Sequence, residues 1–283
     1  MNQKLVLLII LIVLIIIIML GLYYYNFYFK FYRPKYYNEY YVSQNMLKYM
    51  NPNTYAYIDN ISNPLIQTYH NKSKIPYDVY KNIKQYAPEY NHIIMDDDDI
   101  KIFLKKYYTD IVYDTFISLK KGAHKADLAR YCLLYIYGGI YMDIKTELIK
   151  PLKDVFTEDE DTFYTVKSIF SGTVYQGIIK APKNHNLFLS LIDYIISVKN
   201  PLGYLDFCRD MYIQLEYDIK DKIVKDGLNI GNNGNKYYFF RENCSSDDSS
   251  MCYDGFDRYG LCCFIWDRNT PVIKSRRSSY PWK

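Results

Sequence analysis

The sequence predicts an α/β fold preceded by one transmembrane helix at the amino terminus. Three observations predict it: an apolar run near the start, a helix-to-strand unit interrupted by Gly138 and Gly139, and strand-like segments that alternate with helical ones. Such an alternation is typical of α/β domains. The 283 residues suffice for one medium-sized domain, and the net charge of +4 is too small to indicate nucleic-acid binding.

The apolar run from Leu5 to Leu22 is dominated by Ile and Leu. It is just long enough to cross a hydrocarbon core of about 30 Å. A cleaved signal peptide is the alternative, but the run exceeds the usual apolar region of such peptides, and no small-x-small site follows before Tyr23. We therefore predict a short tail at 1–4, a transmembrane anchor at 5–22, an aromatic-rich stem at 23–54 and a folded domain at 55–283.

Within the folded domain, a helix is predicted over Asp78–Tyr86 and a strand over His92–Met95. Consecutive aspartates follow from Asp96 to Asp99. A metal site is one interpretation of this acidic run. Repulsion between adjacent carboxylates and the position directly after a strand favour instead a cap for the helix Ile100–Tyr108.

The stretch HKADLARYCLLYIYGGIYMDIKTELIKP, from His124 to Pro151, organises the domain. Its first half predicts a helix on which Asp127 and Arg130, at i and i+3, share one face. Gly138-Gly139 ends that helix, because glycine adopts the left-handed conformation of a helix C-cap at little cost.

A strand is predicted directly after the two glycines, over Ile140 to Ile144. Period-two alternation assigns Ile140, Met142 and Ile144 to the core face and Tyr141, Asp143 and Lys145 to the opposite face. The strand therefore delivers the carboxylate of Asp143 to its carboxyl end, where open α/β sheets bind their ligands.

This segment resembles the DXD-containing sugar transferases of glycosyltransferase family 32. The matching residues are Lys125, Ala126, Asp127, Arg130, Tyr131, Leu134, Tyr135, Gly138, Gly139, Tyr141, Asp143, Lys150 and Pro151. The resemblance implies a GT-A-type fold, a Rossmann-like sheet with helices on both faces. It also implies transfer of a hexose from a nucleotide diphosphate sugar to a glycan or glycoprotein acceptor, with retention of the anomeric configuration.

The resemblance also implies roles for individual residues. Asp127, Arg130 and Asp143 are the expected catalytic residues, and Asp143 is the expected metal ligand. The expected donor-binding residues are Asp127, Arg130, Gly139, Tyr141, Asp143 and Lys145. From the helical spacing alone, a surface ion pair worth less than about 1 kcal/mol is the favoured explanation of Asp127 and Arg130. Their position beside the Gly-Gly-strand-Asp unit, in the family's register, favours the functional roles instead.

A divalent metal, Mn²⁺ or Mg²⁺, is the usual device for neutralising the diphosphate as the glycosidic bond breaks. The chain reads Asp143-Ile144-Lys145, so a cation stands where the family has its second acid. Glu147 would lie about 13 Å from Asp143 in a straight strand, too far to share one ion.

Three interpretations of this replacement remain open. Asp143 binds the metal with a residue from elsewhere in the fold, or Lys145 neutralises the diphosphate without metal. In the third, the site is inactive, and the chain is a membrane-anchored carbohydrate-binding or structural protein.

Location is expected from the resemblance to single-pass enzymes with a lumenal catalytic part: the ER or Golgi, or the equivalent membrane of a virus-infected host, with the membrane as a partner. Lys30, Arg33 and Lys35 favour the reverse orientation. In an oxidising lumen, two disulfides are expected among Cys244, Cys252, Cys262 and Cys263, whereas reduced thiols are expected in a cytosolic setting.

The second half of the domain is less informative. We predict strands within Phe163–Lys180 around a turn at Ser171-Gly172, followed by a helix over Leu187–Val198. His185 is predicted to be a structural residue at the start of that helix and not a catalytic base. Residues 201–230 are predicted to be mostly helical, and Lys236–Arg241 to form a strand.

Overall fold

The computed structural model describes residues 10–23, 47–52, 60–198, 203–245 and 262–275. The chain divides into two compact units, Met1–Tyr41 and Val42–Lys283. In the first unit, residues 10–23 are helical. No helix within the described ranges is long and apolar enough to cross a membrane. The transmembrane anchor predicted at 5–22 is therefore not supported; its residues 5–9 and most of the predicted stem at 23–54 lie outside the described residues.

The second unit is built on a ten-stranded mixed sheet. Its strands are β1 Pro64–Thr68, β2 Asn91–Met95, β3 Gly139–Met142, β4 Thr146–Leu148, β5 Phe163–Lys167, β6 Val174–Ala181, β7 Gly227–Ile230, β8 Lys236–Ser245, β9 Cys262–Asp267 and β10 Thr270–Ser275. They lie in the order β2-β1-β3-β6-β5-β8-β9-β10-β4, and β7 pairs with β8.

The sheet curls, because the short turn after β3 connects an inner strand to β4, the last strand in the order. β1 runs parallel to both β2 and β3, whereas β6 runs antiparallel to β3. β4 follows β3 after a short turn, yet it pairs with β10 at the far end of the strand order. The few residues between Met142 and Thr146 are too few to cross the strands that separate β3 from β4 in a flat sheet. The sheet therefore bends back on itself, and the turn that carries Asp143 joins the two strands.

Helices surround this sheet. They are α1 Tyr77–Tyr86, α2 Asp97–Tyr107, α3 Asp110–Ser118, α4 Gly122–Tyr137, α5 Asn186–Val198 and α6 Asp206–Asp218, with short 3₁₀ turns at Leu47–Tyr49, Lys72–Lys74 and Leu152–Asp154. Asp96 caps α2 in a reciprocal capping box with Asp99. The prediction that the acidic run is a helix cap is confirmed.

Both faces of the sheet are buried, because adjacent strand residues join different hydrophobic clusters. Ile66, Tyr141 and Ile179 belong to the cluster that helices α2 to α6 cover. Leu65, Ile140, Met142 and Ile178 belong to a second cluster, to which α1 contributes Ile83. A mixed α/β fold with helices on both faces is therefore confirmed. Tyr141, predicted to lie opposite the core face, is itself buried in the first of these two clusters.

Two elements differ from the prediction. The strand after the glycines ends at Met142 rather than Ile144, because the chain turns at Asp143. Within 201–230, α6 ends at Asp218 and the chain returns as β7, so the prediction of a mostly helical segment was wrong for its last part. β7 pairs with a later strand, and local periodicity carries no information on such a partner.

Candidate active site

Two glycines fix the connection between α4 and β3. The Gly138 amide donates to the Leu134 carbonyl at 2.9 Å, which ends α4, and Gly138 has φ +66°. Gly139 has φ +81°, and a Cβ there would lie 2.4 Å from the carbonyl oxygen of Pro64. Only glycine satisfies both the positive φ and the close approach of backbone. The predicted helix stop is confirmed.

The turn after β3 holds the backbone of Asp143 from several directions. Its amide donates to the Gly177 carbonyl of β6 at 2.8 Å. Its carbonyl accepts from the Thr146 amide at 2.9 Å and from the Thr146 hydroxyl at 2.6 Å. Gln67 at the end of β1 adds a longer contact to that carbonyl, at 3.4 Å. Asp143 therefore lies at the carboxyl ends of the parallel strands β1 and β3, where α/β sheets bind ligands.

Arg130 lies between two carboxylates. Its Nη1 is 3.1 Å from Oδ1 of Asp127, one turn earlier on α4, and its Nη2 is 3.2 Å from Oδ1 of Asp143. The side chains of Asp127 and Arg130 are only 7% and 6% exposed, whereas that of Asp143 is 31% exposed. The structure therefore brings the three predicted catalytic side chains together, and Asp143 is the one that reaches solvent.

Tyr141 contacts both Asp143 and Arg130. Its hydroxyl donates to Oδ1 of Asp143 at 3.1 Å and lies 2.9 Å from the hydroxyl of Thr68. Because the Tyr141 proton goes to the carboxylate, the Thr68 hydroxyl donates to Tyr141. The ring is buried, and the Arg130 guanidinium stacks over it at 4.7 Å. Tyr141 thus orients the carboxylate and the guanidinium of the other two residues.

Gln176 of β6 is a polar residue of this site that sequence reasoning missed. Its Oε1 accepts from Nη1 of Arg130 at 3.1 Å. Its Nε2 donates to the hydroxyl of Tyr131 at 2.5 Å and to the carbonyl of Phe207 at 3.0 Å. The one available signal was a polar side chain within the otherwise apolar run around Ile178 and Ile179.

Burial and mutual charge set the protonation of this group. Burial raises the pKa of the Asp127 carboxyl against the opposing effect of Arg130, and the nearby charge of Asp143 raises it further. Although burial disfavours the charged guanidinium, the surrounding Tyr141, Asp143 and Asp127 raise the pKa of Arg130 well above its ordinary value. Arg130 therefore stays cationic, and the Asp127 carboxyl is more easily neutralised than an ordinary aspartate.

The other predicted donor-binding residues are not all in this cluster. Gly139 lies against Pro64 at the opposite end of β3 from Asp143, so its packing explains the glycine and the structure gives no support to a donor contact. Lys145 is half-buried in the turn that follows Asp143. Glu147 lies on β4 in register with Lys274 of β10.

Metal ligands are not assembled around Asp143 in the described part of the chain. The group of three potential ligands found there is Glu242, Cys244 and Cys263. Cys244 and Cys263 form a disulfide between β8 and β9. Among the described residues, the two side-chain hydrogen bonds to Asp143 both end on Oδ1, so Oδ2 is the carboxylate oxygen considered for a ligand.

Similarity to known proteins falls on the same region. The model of the glycosyltransferase sugar-binding region containing a DXD motif matches residues 73–163. An initiation-specific alpha-1,6-mannosyltransferase of Saccharomyces cerevisiae is 41% identical over 69 residues, which are 24% of this chain and 14% of that protein. An uncharacterized glycosyltransferase of Acanthamoeba polyphaga mimivirus is 36% identical over 101 residues, 35% of this chain and 38% of that protein.

The matched segments thus span well under half of these relatives. A solved structure, the PaToxG glycosyltransferase, has a TM-score of 0.42 and 16% identity over 62% of this chain and 73% of that one, a likeness too low to inform fold or function. The family match covers α4, the two glycines and Asp143, the elements that build the site. Residues 73–163 of this chain are thus similar to the glycosyltransferase sugar-binding region containing a DXD motif.

Proposed function

We propose that this chain transfers a hexose from a nucleotide diphosphate sugar to a glycan or glycoprotein acceptor, on a GT-A-type sheet. One observation carries the proposal: Arg130 is held between Asp127 and Asp143 where parallel strands end, within the segment that matches the family. A mannosyl donor is the first to test, because two of the relatives are named alpha-1,6-mannosyltransferases.

Asp143 is the residue proposed to meet the donor, because it is the exposed member of the group. Arg130 and Asp127 lie behind it, so their proposed part is to fix the carboxylate and to balance its charge as the diphosphate leaves. Donor contacts through Asp127, Arg130 and Lys145 belong to the same proposal. For retention of configuration we infer front-face transfer, since no further carboxylate of the described residues is held in this cluster as a nucleophile.

A divalent ion fits this site to a limited degree. The side chain of Asp143 is 31% exposed, and Mg²⁺ is commonly held by one or two carboxylates together with substrate phosphate oxygens. We infer that Asp143 binds Mn²⁺ or Mg²⁺ in this way. Such an ion, when bound, supplies charge that stabilises the leaving diphosphate. Lys145, two residues further along the same turn, is the alternative source of positive charge.

The proposal is tested with a panel of UDP- and GDP-linked hexoses, measuring hydrolysis and transfer with added Mn²⁺ and with EDTA. We expect turnover of one donor class, its loss in EDTA, and its loss in Asp143→Ala. Asp98→Ala is the matched control, because Asp98 is an exposed carboxylate on α2 whose ion-pair partner is Lys101.

Each outcome of the panel has a distinct meaning. No turnover of any donor would contradict the transferase proposal and favour a silent carbohydrate-binding protein. Full activity in EDTA would contradict the metal requirement and favour Lys145 as the charge that neutralises the diphosphate. Activity that survives Asp143→Ala would contradict the role given to that carboxylate.

For location, we infer an oxidising compartment such as the ER or Golgi lumen. The support is the disulfide between Cys244 and Cys263, since structural disulfides persist where thiols are not kept reduced. Cys132 is a buried free cysteine, and the side chains of Cys252 and Cys262 lie outside the described residues. Mass spectrometry of alkylated protein from the native membrane fraction tests this: two free thiols at Cys244 and Cys263 would contradict it.

A further inference from the structure

We propose that Gln176 is a positioning residue that fixes Arg130 between its two carboxylates. The inference rests on the proposed transferase function, which it deepens by naming what holds the cation of the site. Gln176 is 2% exposed, and its Oε1 accepts from Nη1 of Arg130 at 3.1 Å. Neither the family segment, which ends at residue 163, nor any motif includes it.

The chemistry of its neighbours fixes which way the Gln176 amide points. Arg130 only donates hydrogen bonds, so the side-chain oxygen must face it. The carbonyl of Phe207 only accepts, so the nitrogen must face α6. The second hydrogen of that nitrogen goes to the hydroxyl of Tyr131 at 2.5 Å. A flipped amide would oppose like groups at two of these three contacts, and the orientation is therefore unique.

Strand β6 holds both halves of the Arg130–Asp143 pair. Gln176 binds the guanidinium through its side chain, and the next residue, Gly177, accepts the amide of Asp143 through its carbonyl at 2.8 Å. The spacing between the charged groups is thus set by two consecutive residues of one strand. A shift of Gln176 changes the position of Arg130 relative to Asp143 directly.

Arg130 needs this third acceptor because the two carboxylates pull it in different directions. Asp127 holds Nη1 from its own helix, and Asp143 holds Nη2 from the turn. The Nε of Arg130 is buried with no hydrogen-bond partner within the described residues. Without the amide of Gln176, the guanidinium is free to rotate towards Asp127, and its contact with Asp143 weakens. The donor pocket remains, so the rate of transfer is expected to fall more than donor binding.

The test compares Gln176→Met with Gln214→Met in the full-length chain. Gln214 is a matched control: it is 1% exposed and its Nε2 donates to Asp210 on α6 at 2.6 Å. We expect Gln176→Met to lower kcat about 10- to 100-fold with a donor KM within about 3-fold of the parent chain. Gln214→Met is expected to leave both close to the parent values. A kcat for Gln176→Met that falls no further than that of Gln214→Met would overturn the proposal.

A second measurement does not depend on activity. Thermal unfolding of Arg130→Met, Gln176→Met and the double variant is expected to give non-additive Tm shifts, because the two side chains share one interaction. Arg130→Met with Gln214→Met is expected to be additive. Additive shifts for the first pair would also overturn the proposal.

The two measurements separate this inference from the function on which it rests. If the parent chain turns over no donor, the proposed function fails, and the unfolding experiment alone decides whether Gln176 holds Arg130. If Gln176→Met does not fold, Gln176→Asn replaces it in both measurements, since it stays an amide but is shorter by one methylene and withdraws its oxygen from Arg130.

Discussion

The two ends of β3 are built in opposite ways. At its start, Gly139 packs against the backbone of Pro64 so closely that no side chain fits. At its end, Asp143 is surrounded by polar donors, with Arg130 and Tyr141 on its carboxylate and Thr146 on its carbonyl. The family motif runs across both ends, so one motif contains residues required for packing and residues required for chemistry. Substitutions at the two ends are expected to separate stability from activity.

Asp143→Asn gives the largest expected effect at the chemical end. Asparagine keeps an oxygen for Tyr141 but removes the charge that faces Arg130 and the donor. We expect kcat to fall by at least about 100-fold, on the order of 3 kcal/mol. The Tm is expected to stay within about 2 °C of the parent value, because the side chain is partly exposed. Steady-state kinetics and differential scanning fluorimetry measure both quantities. A Tm that falls in proportion to activity would place Asp143 with the packing residues.

Gly139→Ala, at the start of β3, is expected to lower stability and leave activity almost unchanged. The positive φ and the contact with Pro64 are expected to cost about 3 kcal/mol and to lower the Tm by about 10 °C. Activity per folded molecule is expected to change little. Gly234→Ala is the matched control, because Gly234 has φ +83° with nothing within 4 Å of an added Cβ. Equal losses in the two variants would mean that backbone strain, and not the contact with Pro64, dominates.

Burial of His185 is expected to make the free energy of unfolding depend on pH. It lies among the rings of Phe163, Phe188 and Tyr237, and burial lowers its pKa to about 4. The unfolded chain therefore takes up the proton first as the pH falls from about 6.5, and stability is lost from there down to about pH 4, by about 3 kcal/mol. Urea unfolding at several pH values measures this slope.

His185→Asn is expected to flatten that slope while retaining an acceptor for the Leu187 amide at the start of α5. The free energy of unfolding of the variant is then expected to depend less on pH between about 4 and 6.5. An unchanged slope would assign the acid sensitivity to another group, for example His92, whose pKa burial also lowers to about 4.

Tyr141→Phe gives the smallest expected effect. It removes one hydrogen bond to Asp143 and keeps the ring beneath Arg130. We expect kcat to fall about 10-fold, since a hydrogen bond to a charged group contributes about 1.5 kcal/mol. Tyr237→Phe removes a comparable bond to Asp218 away from the site and serves as the control. Equal kcat values in the two variants would show that Tyr141 does not orient Asp143.

Prediction from sequence succeeded where the signal was local. The end of α4 at Gly138, the cap at Asp96 and the delivery of Asp143 by a strand follow from spacing and from glycine chemistry, which act over a few residues. The sheet order did not follow, because the pairing of β4 with β10 joins segments far apart in the chain. Gln176 was not predicted for the same reason: it lies beside Arg130 only because β6 pairs with β3.

The pairing of β4 with β10 has a consequence for how the chain is made. The turn that carries Asp143 leads directly into β4, and β4 has its partner only when residues 270–275 have left the ribosome. Chain synthesis proceeds at about 5–20 residues per second, so the interval between the synthesis of β4 and that of β10 lasts on the order of ten seconds. The nascent chain therefore carries its DXD-region segment for some time before the sheet can close around it, and the last-made strand completes the part of the fold that bears the chemistry.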